Sequence, residues 1–137
     1  MLKEFSVLRL IITFIIPFVI LYSIYIQLNG EVSPGGGFQA GVIFASGIIG
    51  YELIFDKSIF KQNFSIKYLT ICSILGVLIY ASVGLISLIY NYNYLNYNVL
   101  NIKPITGQHI GIFLIEIGIG LTVSSVMSLI YISLKED

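Results

Sequence analysis

Polar and apolar positions along this chain fall into blocks. Four apolar stretches, roughly residues 6–28, 38–55, 68–90 and 107–134, are separated by short segments that hold most of the charges, the asparagines and a glycine run. The long stretches show no apolar/polar alternation, which argues against barrel strands, and an open sheet edge in lipid would leave backbone groups unpaired. At about 1.5 Å rise per residue, roughly 20 helical residues cross a hydrocarbon core of about 30 Å. The pattern predicts an all-α membrane protein with four transmembrane helices, the second of them the shortest.

Composition makes the bilayer necessary. Of 137 residues, 57% are hydrophobic and 10% charged, with a mean hydropathy of +0.95, whereas about a quarter of the residues in a soluble domain are charged. One soluble core cannot hide that much apolar surface. The seven basic and seven acidic residues cancel, so net charge names no partner, and no basic patch marks a nucleic-acid footprint. The single cysteine, Cys72, has no partner for an intramolecular disulfide. The start of the chain, with Lys3, Glu4 and Arg9 ahead of a long apolar run, resembles a signal peptide. Its run is too long and lacks a small-residue cleavage site, so it reads as an uncleaved first helix.

The basic residues give an orientation. Lys3, Arg9, Lys57, Lys61, Lys67 and Lys135 fall on one side and Lys103 on the other, which places both termini in the cytoplasm. The connection carrying Glu31 and the glycine run, and the segment from Asn91 to Thr106, then face outward. Tyr22, Tyr25, Tyr51, Tyr68, Tyr90, Tyr92, Tyr94 and Tyr97 lie at or near helix ends and read as an aromatic belt. The asparagine- and tyrosine-rich segment 91–101 reads as an outer surface loop without further function. Asn63-Phe64-Ser65 matches a glycosylation acceptor only formally, because its loop is placed in the cytoplasm.

Three features carry candidate chemistry. The first is Ser33-Pro34-Gly35-Gly36-Gly37-Phe38-Gln39-Ala40-Gly41 at the entry to the second helix. It is either an anion cradle at a helix N-terminus or, the favoured reading, a tight turn stiffened by Pro34 that packs against neighbouring subunits. The second is Glu116 in the fourth helix, where a charge costs about 2.5 to 3.5 kcal/mol at the helix centre and so must face protein or water, or be protonated. His109, seven residues earlier, lies about 20° away around the helix and about 10 Å along it. The pair is an ion-path candidate, weighed against an interfacial anchor and a structural polar contact. Gly107, Gly111, Gly118 and Ser125 form a small-residue stripe on the opposite face. With both faces unsuited to lipid, the fourth helix is expected to meet its own bundle on one side and a different subunit on the other. The third feature is Glu52 and Asp56 near the end of helix two, with Arg9 at similar depth; snorkelling of each to water is preferred over an Arg9–Glu52 pair. Pro17 is expected to kink helix one. No His/Cys/carboxylate cluster at metal-ligand spacing and no nucleophile elbow is present in the sequence, so neither an enzyme, a metal site nor a cofactor is expected.

The run Ser33 to Gly41 after a first apolar helix, together with Thr106-Gly-Gln-His-Ile-Gly-Ile-Phe-Leu-Ile-Glu-Ile-Gly-Ile-Gly-Leu121, resembles the MnhB/MrpB subunit of multisubunit sodium/proton antiporters, a domain also found in membrane-bound hydrogenase complexes. The resemblance covers nearly the whole chain, in order, as one membrane domain over residues 1–137. It implies an accessory subunit of a cation (Na+)/proton antiporter in a bacterial inner membrane, with other antiporter subunits as partners. Relatives place a histidine near the position of Glu31, and this chain departs there. A purely structural scaffold and a subunit of a hydrogenase or complex I-like assembly stand as alternatives. A self-sufficient small exporter fits poorly, because four-helix exporters carry their membrane glutamate in the first helix.

Overall fold

The computed structural model describes residues 6–32, 34–55 and 65–136. Lys3, Glu4, Ser33, Asp56, Lys57, Lys61 and Asn63 lie outside the described residues. Among the described residues four α-helices form: α1, Ser6–Asn29; α2, Gly36–Ile54; α3, Ile66–Ile89; and α4, Pro104–Glu136, with a 3-10 turn at Tyr97–Leu100 between α3 and α4. All four are long and apolar enough to cross a membrane, as the block pattern predicts. Two helices begin earlier than expected for local reasons. Gly36 and Gly37 are already helical in α2, and Pro104 occupies the first helical position of α4, where its missing N–H costs nothing. Helix α1 runs through Pro17 without a break.

Small residues decide how the helices meet. The order of packing is α1 on α2, α2 on α4, and α4 on α3, so the helices lie in a row and not in a closed bundle. Gly47 and Gly50 of α2 receive Val19, Ile20 and Ile16 of α1, and the Ser23 hydroxyl donates to the Ala40 carbonyl across that seam at 2.8 Å. Helices α2 and α4 run parallel. A Cβ on Gly41 would come within 2.8 Å of the Gly120 carbonyl oxygen, so the two backbones are in contact. Helix α3 runs antiparallel to α4. There a Cβ on Gly76 would come within 2.6 Å of the Gly118 carbonyl, and one on Gly118 within 2.8 Å of the Gly76 carbonyl. Backbones this close gain dispersion contacts along their whole length, the main source of helix association where lipid is as apolar as leucine.

This arrangement corrects the expectation for the fourth helix. Its Glu116 face is covered by α2 and the α1–α2 connection, and its Gly107/Gly111/Gly118 stripe by α3 and the 3-10 turn. Both faces are therefore satisfied within the chain, because the row places α4 in its interior. The two helices at the ends of the row keep wide apolar faces outward, α1 through Val7, Leu10, Phe14, Phe18 and Leu21, and α3 through Ile74, Leu75, Leu78 and Leu85.

The segment after α3 is also more than a surface loop. Helix α3 ends in a Schellman motif: Tyr92 N–H donates to the Ser87 carbonyl and Asn91 N–H to the Leu88 carbonyl, both at 3.0 Å. Asn91 takes the left-handed conformation, φ 61°, that this motif requires and that asparagine tolerates. The chain then folds back, so that the Tyr94 ring fills the space over Gly84 and Tyr97 lies over Gly107 and Gly111. Tyr94 and Tyr97 thus pack on α3 and α4. Burial, with the Tyr80 and Tyr94 phenols adding, raises the Tyr97 hydroxyl above the ordinary tyrosine range. Fully buried Ser87 donates to the Asn96 carbonyl at 3.0 Å, shared with the Val83 carbonyl at 3.3 Å. Ser87→Ala is expected to cost about 1 kcal/mol, the net worth of one buried hydrogen bond. Faster amide exchange over residues 91–101, with α3 and α4 unchanged, is the measurement that checks it.

At the opposite end, Ile48, Leu69 and Ile132 form a core cluster with Phe44, Tyr51, Leu129 and Tyr131 packed on it. The expectation of snorkelling fails here. Glu52 is 6% exposed and pairs with Lys135, Oε1 to Nζ at 3.1 Å, because the parallel α2–α4 packing brings the last turns of both helices side by side. Arg9 lies over the Phe55 ring, 5.7 Å from its centroid.

Candidate functional site

The site begins with a turn that only glycine can make. After α1 ends at Asn29, the chain re-enters α2 through Gly35 at φ 138° and Gly36 at φ 61°, values that a Cβ makes costly. This sharp re-entry starts α2 deep beside α4. Glu116 is twelve residues into α4, about 18 Å from its start at about 1.5 Å per residue, and it is at this level that Gly36 and Gly37 meet it. A Cβ on Gly37 would strike the Glu116 backbone carbonyl. A Cβ on Gly36 would come within 3.1 Å of Glu116 Oε1, and one on Gly30 would collide with the carboxyl group itself. Three glycines thus form the walls of a niche for one acidic side chain.

The niche places the carboxyl group at a helix N-terminus. No side chain caps α2 at Gly35, so its first amides point outward unsatisfied by the helix, and the positive end of the helix dipole lies there. These groups oppose part of the cost of holding an acid inside a membrane span. Part remains, since Glu116 Oε2 is buried and has no hydrogen-bond partner among the described residues.

His109 sits further along the same face of α4, as its spacing from Glu116 predicts. Its Nδ1 pairs with Glu31 Oε1, which ties the α1–α2 connection to α4 beyond the niche. The imidazole is 59% exposed and the Glu31 side chain 31%, so this pair is solvated while Glu116 is half-buried with its Oε2 out of contact with solvent. The structure therefore does not bring His109 and Glu116 into contact; it brings each to the same connection, one at its exposed rim and one beneath it.

Within the glycine run, Gly36, Gly37 and Gly41 pack on α4 of the same chain, while Pro34 is exposed and Gly35 lies against Gln39 and Ile26. Gly107, Gly111 and Gly118 face away from the niche. Sequence reasoning missed Gly30, Gln27 and the Glu31 partner of His109. A single amide inside the first apolar stretch was the available signal for Gln27; nothing local marks Glu31, whose partner is 78 residues away.

Four helices long and apolar enough to cross a membrane, packed on one another through glycines, define a multi-pass membrane protein. The sequence model of the family described as a domain related to the MnhB subunit of Na+/H+ antiporter matches residues 7–129, and the chain belongs to that family. Among its relatives are chains from Staphylococcus aureus strains Newman, JH1 and COL, provisionally named antiporter subunit mnhB2. Each is 31% identical over 137 residues, spanning 97% of this chain and 96% of its own length.

Proposed function

We propose that this chain is an accessory subunit of a multisubunit Na+/H+ antiporter, lying in the inner (plasma) membrane with both termini cytoplasmic, and that Glu116 lines a proton or cation path within the assembled complex. The observation that carries this reading is the Glu116 niche: a carboxyl group inside a membrane span, at the N-terminal end of α2, with one oxygen unpartnered. An unmet buried polar group weakens the fold, and unlike Glu52, whose other oxygen is paired with Lys135, Glu116 has no cation paired with it among the described residues and sits in a glycine-walled niche within the span. His109 and Glu31 stand at the entrance, paired with each other and open to water. The bilayer covers the outward apolar side of α1, and the remaining antiporter subunits are the partners.

A scaffold role is the second reading, favoured by the backbone contacts of Gly37 and Gly41 with α4. The two separate in one experiment. Glu116→Gln keeps the shape and removes the exchangeable acid, so in the assembled complex Na+-dependent proton flux is expected to fall by about a hundredfold, the scale on which a positioned acid–base group acts. Unchanged flux with normal assembly would leave Glu116 a packing residue and the chain a scaffold.

A further inference from the structure

Two buried polar atoms near the niche lack hydrogen-bond partners among the described residues: Glu116 Oε2, an acceptor, and Gln27 Nε2, a donor. They belong to neighbouring positions. Gln27 Oε1 lies against Gly120, one turn below Glu116 on α4, and Gly30, three residues after Gln27, lies against the Glu116 carboxyl group. An orphaned donor and an orphaned acceptor about one helical turn apart along α4 can be the two halves of a water site, since one water accepts from an amide and donates to a carboxyl oxygen.

What lies beyond Gln27 gives this pairing a direction. Along the α2–α4 seam below Glu116 there is no room to move: Gly41 is in backbone contact with Gly120 and packed on Val123, and Ala45 and Ser128 are buried at 2% and 1% exposure. Beside the seam, where α1, α2 and α4 meet, is a cavity of about 230 Å³. Gln27 lines it, and its floor includes Ser23 and Ser124, 3% and 7% exposed. Both serine hydroxyls donate to backbone carbonyls, Ser23 to Ala40 at 2.8 Å and Ser124 to Leu121 at 3.1 Å, which leaves their lone pairs free to accept. The space is open on its outer side and apolar over most of its lining, so the polar partners that a water needs are confined to Gln27 and the Ser23/Ser124 floor. Apolar, more exposed side chains such as Ile24 and Phe44 line the rest.

We infer that Gln27 is the positioning partner of Glu116, that a single water bridges Gln27 Nε2 and Glu116 Oε2, and that this bridge leads sideways into the Ser23/Ser124 cavity and not down the α2–α4 seam. The inference rests on the proposed path through Glu116 and extends it by one residue and one cavity toward the middle of the membrane. The proton that Glu116 gives up or takes is carried by this water, with Gln27 holding its oxygen by the amide N–H and undergoing no chemistry itself.

Infrared difference spectroscopy on the whole purified antiporter complex tests it. The Glu116 carboxyl band is assigned by its loss in Glu116→Gln. In Gln27→Met, which keeps the length and removes the donor, that band is expected to shift, and Na+-dependent flux to fall by about tenfold, the equivalent of about 1.4 kcal/mol. In the unaltered complex, an O–H stretch sensitive to H2(18)O and absent from Glu116→Gln is expected, a readout that needs no Gln27 variant to fold. A Glu116 band that stays in place in Gln27→Met, or the lack of that water signal in the unaltered complex, overturns the inference. A shifted band with the water signal present, but full flux in Glu116→Gln, upholds the bridge and overturns the transport role of Glu116.

Discussion

Gly37→Ala is expected to remove most of the assembled, active complex, although it adds one methyl group. Gly37 is buried, and the new Cβ would be directed at the backbone carbonyl of Glu116. Neither side of that contact can rotate away, because one is helix α2 and the other the main chain of α4. The helices must part, and Glu116 then loses its place against the first turn of α2. Overpacking a well-filled interior costs about 1–3 kcal/mol where side chains can yield, so a backbone collision should lie at or above the top of that range. Each 1.4 kcal/mol is about tenfold in an equilibrium, so a loss of assembled complex of about a hundredfold is the expected scale. Gly50→Ala is the control. It lies on the same helix, and its added Cβ would meet Ile16 at 3.6 Å, an ordinary contact. There the substitution should leave assembly unchanged or stabilise α2 by about 0.5–1 kcal/mol through helix propensity. The yield of intact complex and its thermal midpoint, read for both variants in parallel, decide the matter; equal damage from the two would show that the Gly37 contact has no special weight.

The reach of the sequence in this protein follows the range of the interactions. The four helices were legible because a membrane span needs a long apolar run, a property written locally in residues such as Ile66 to Ile89. The shared face of His109 and Glu116 was legible too, since helical spacing fixes it. What was not legible depends on which helices become neighbours. Spacing shows that both faces of α4 need cover but not what covers them, and the row order sets Gly118 against Gly76 of α3. The asparagine-tyrosine segment looked compositional, yet Tyr94 and Tyr97 fill spaces that Gly84 and Gly111 leave open. The same reason hid the role of Glu31. Its acid is paired with an imidazole from the far end of the chain, a contact that no local pattern marks.

Glu52 and Lys135 join the ends of α2 and α4, and breaking this pair from one side should be among the most damaging changes available. Lys135→Met keeps the apolar stem, which lies near the Tyr131 ring, but leaves the carboxyl group of Glu52 at 6% exposure with neither oxygen paired to a cation; Oε2 already lacks a partner among the described residues. Removing one member of a buried ion pair costs about 3–5 kcal/mol, mostly because the other charge is stranded. The double variant Glu52→Gln with Lys135→Met removes the stranded charge and should recover all but about 1–2 kcal/mol, the cost of an imperfectly bonded buried amide. Thermal denaturation of the purified complex with the two single variants and the double completes the cycle. A coupling near zero would mean that water reaches Glu52 and the pair is a surface contact. Transport gives a second readout with a different logic. The pair lies at the opposite end of the α2–α4 seam from Glu116, and the packed stretch around Gly41 and Ala45 separates them, so the double variant should transport normally once assembled. Loss of flux in a stable double variant would instead make Glu52 a second station on the ion path, reached by a route other than the seam.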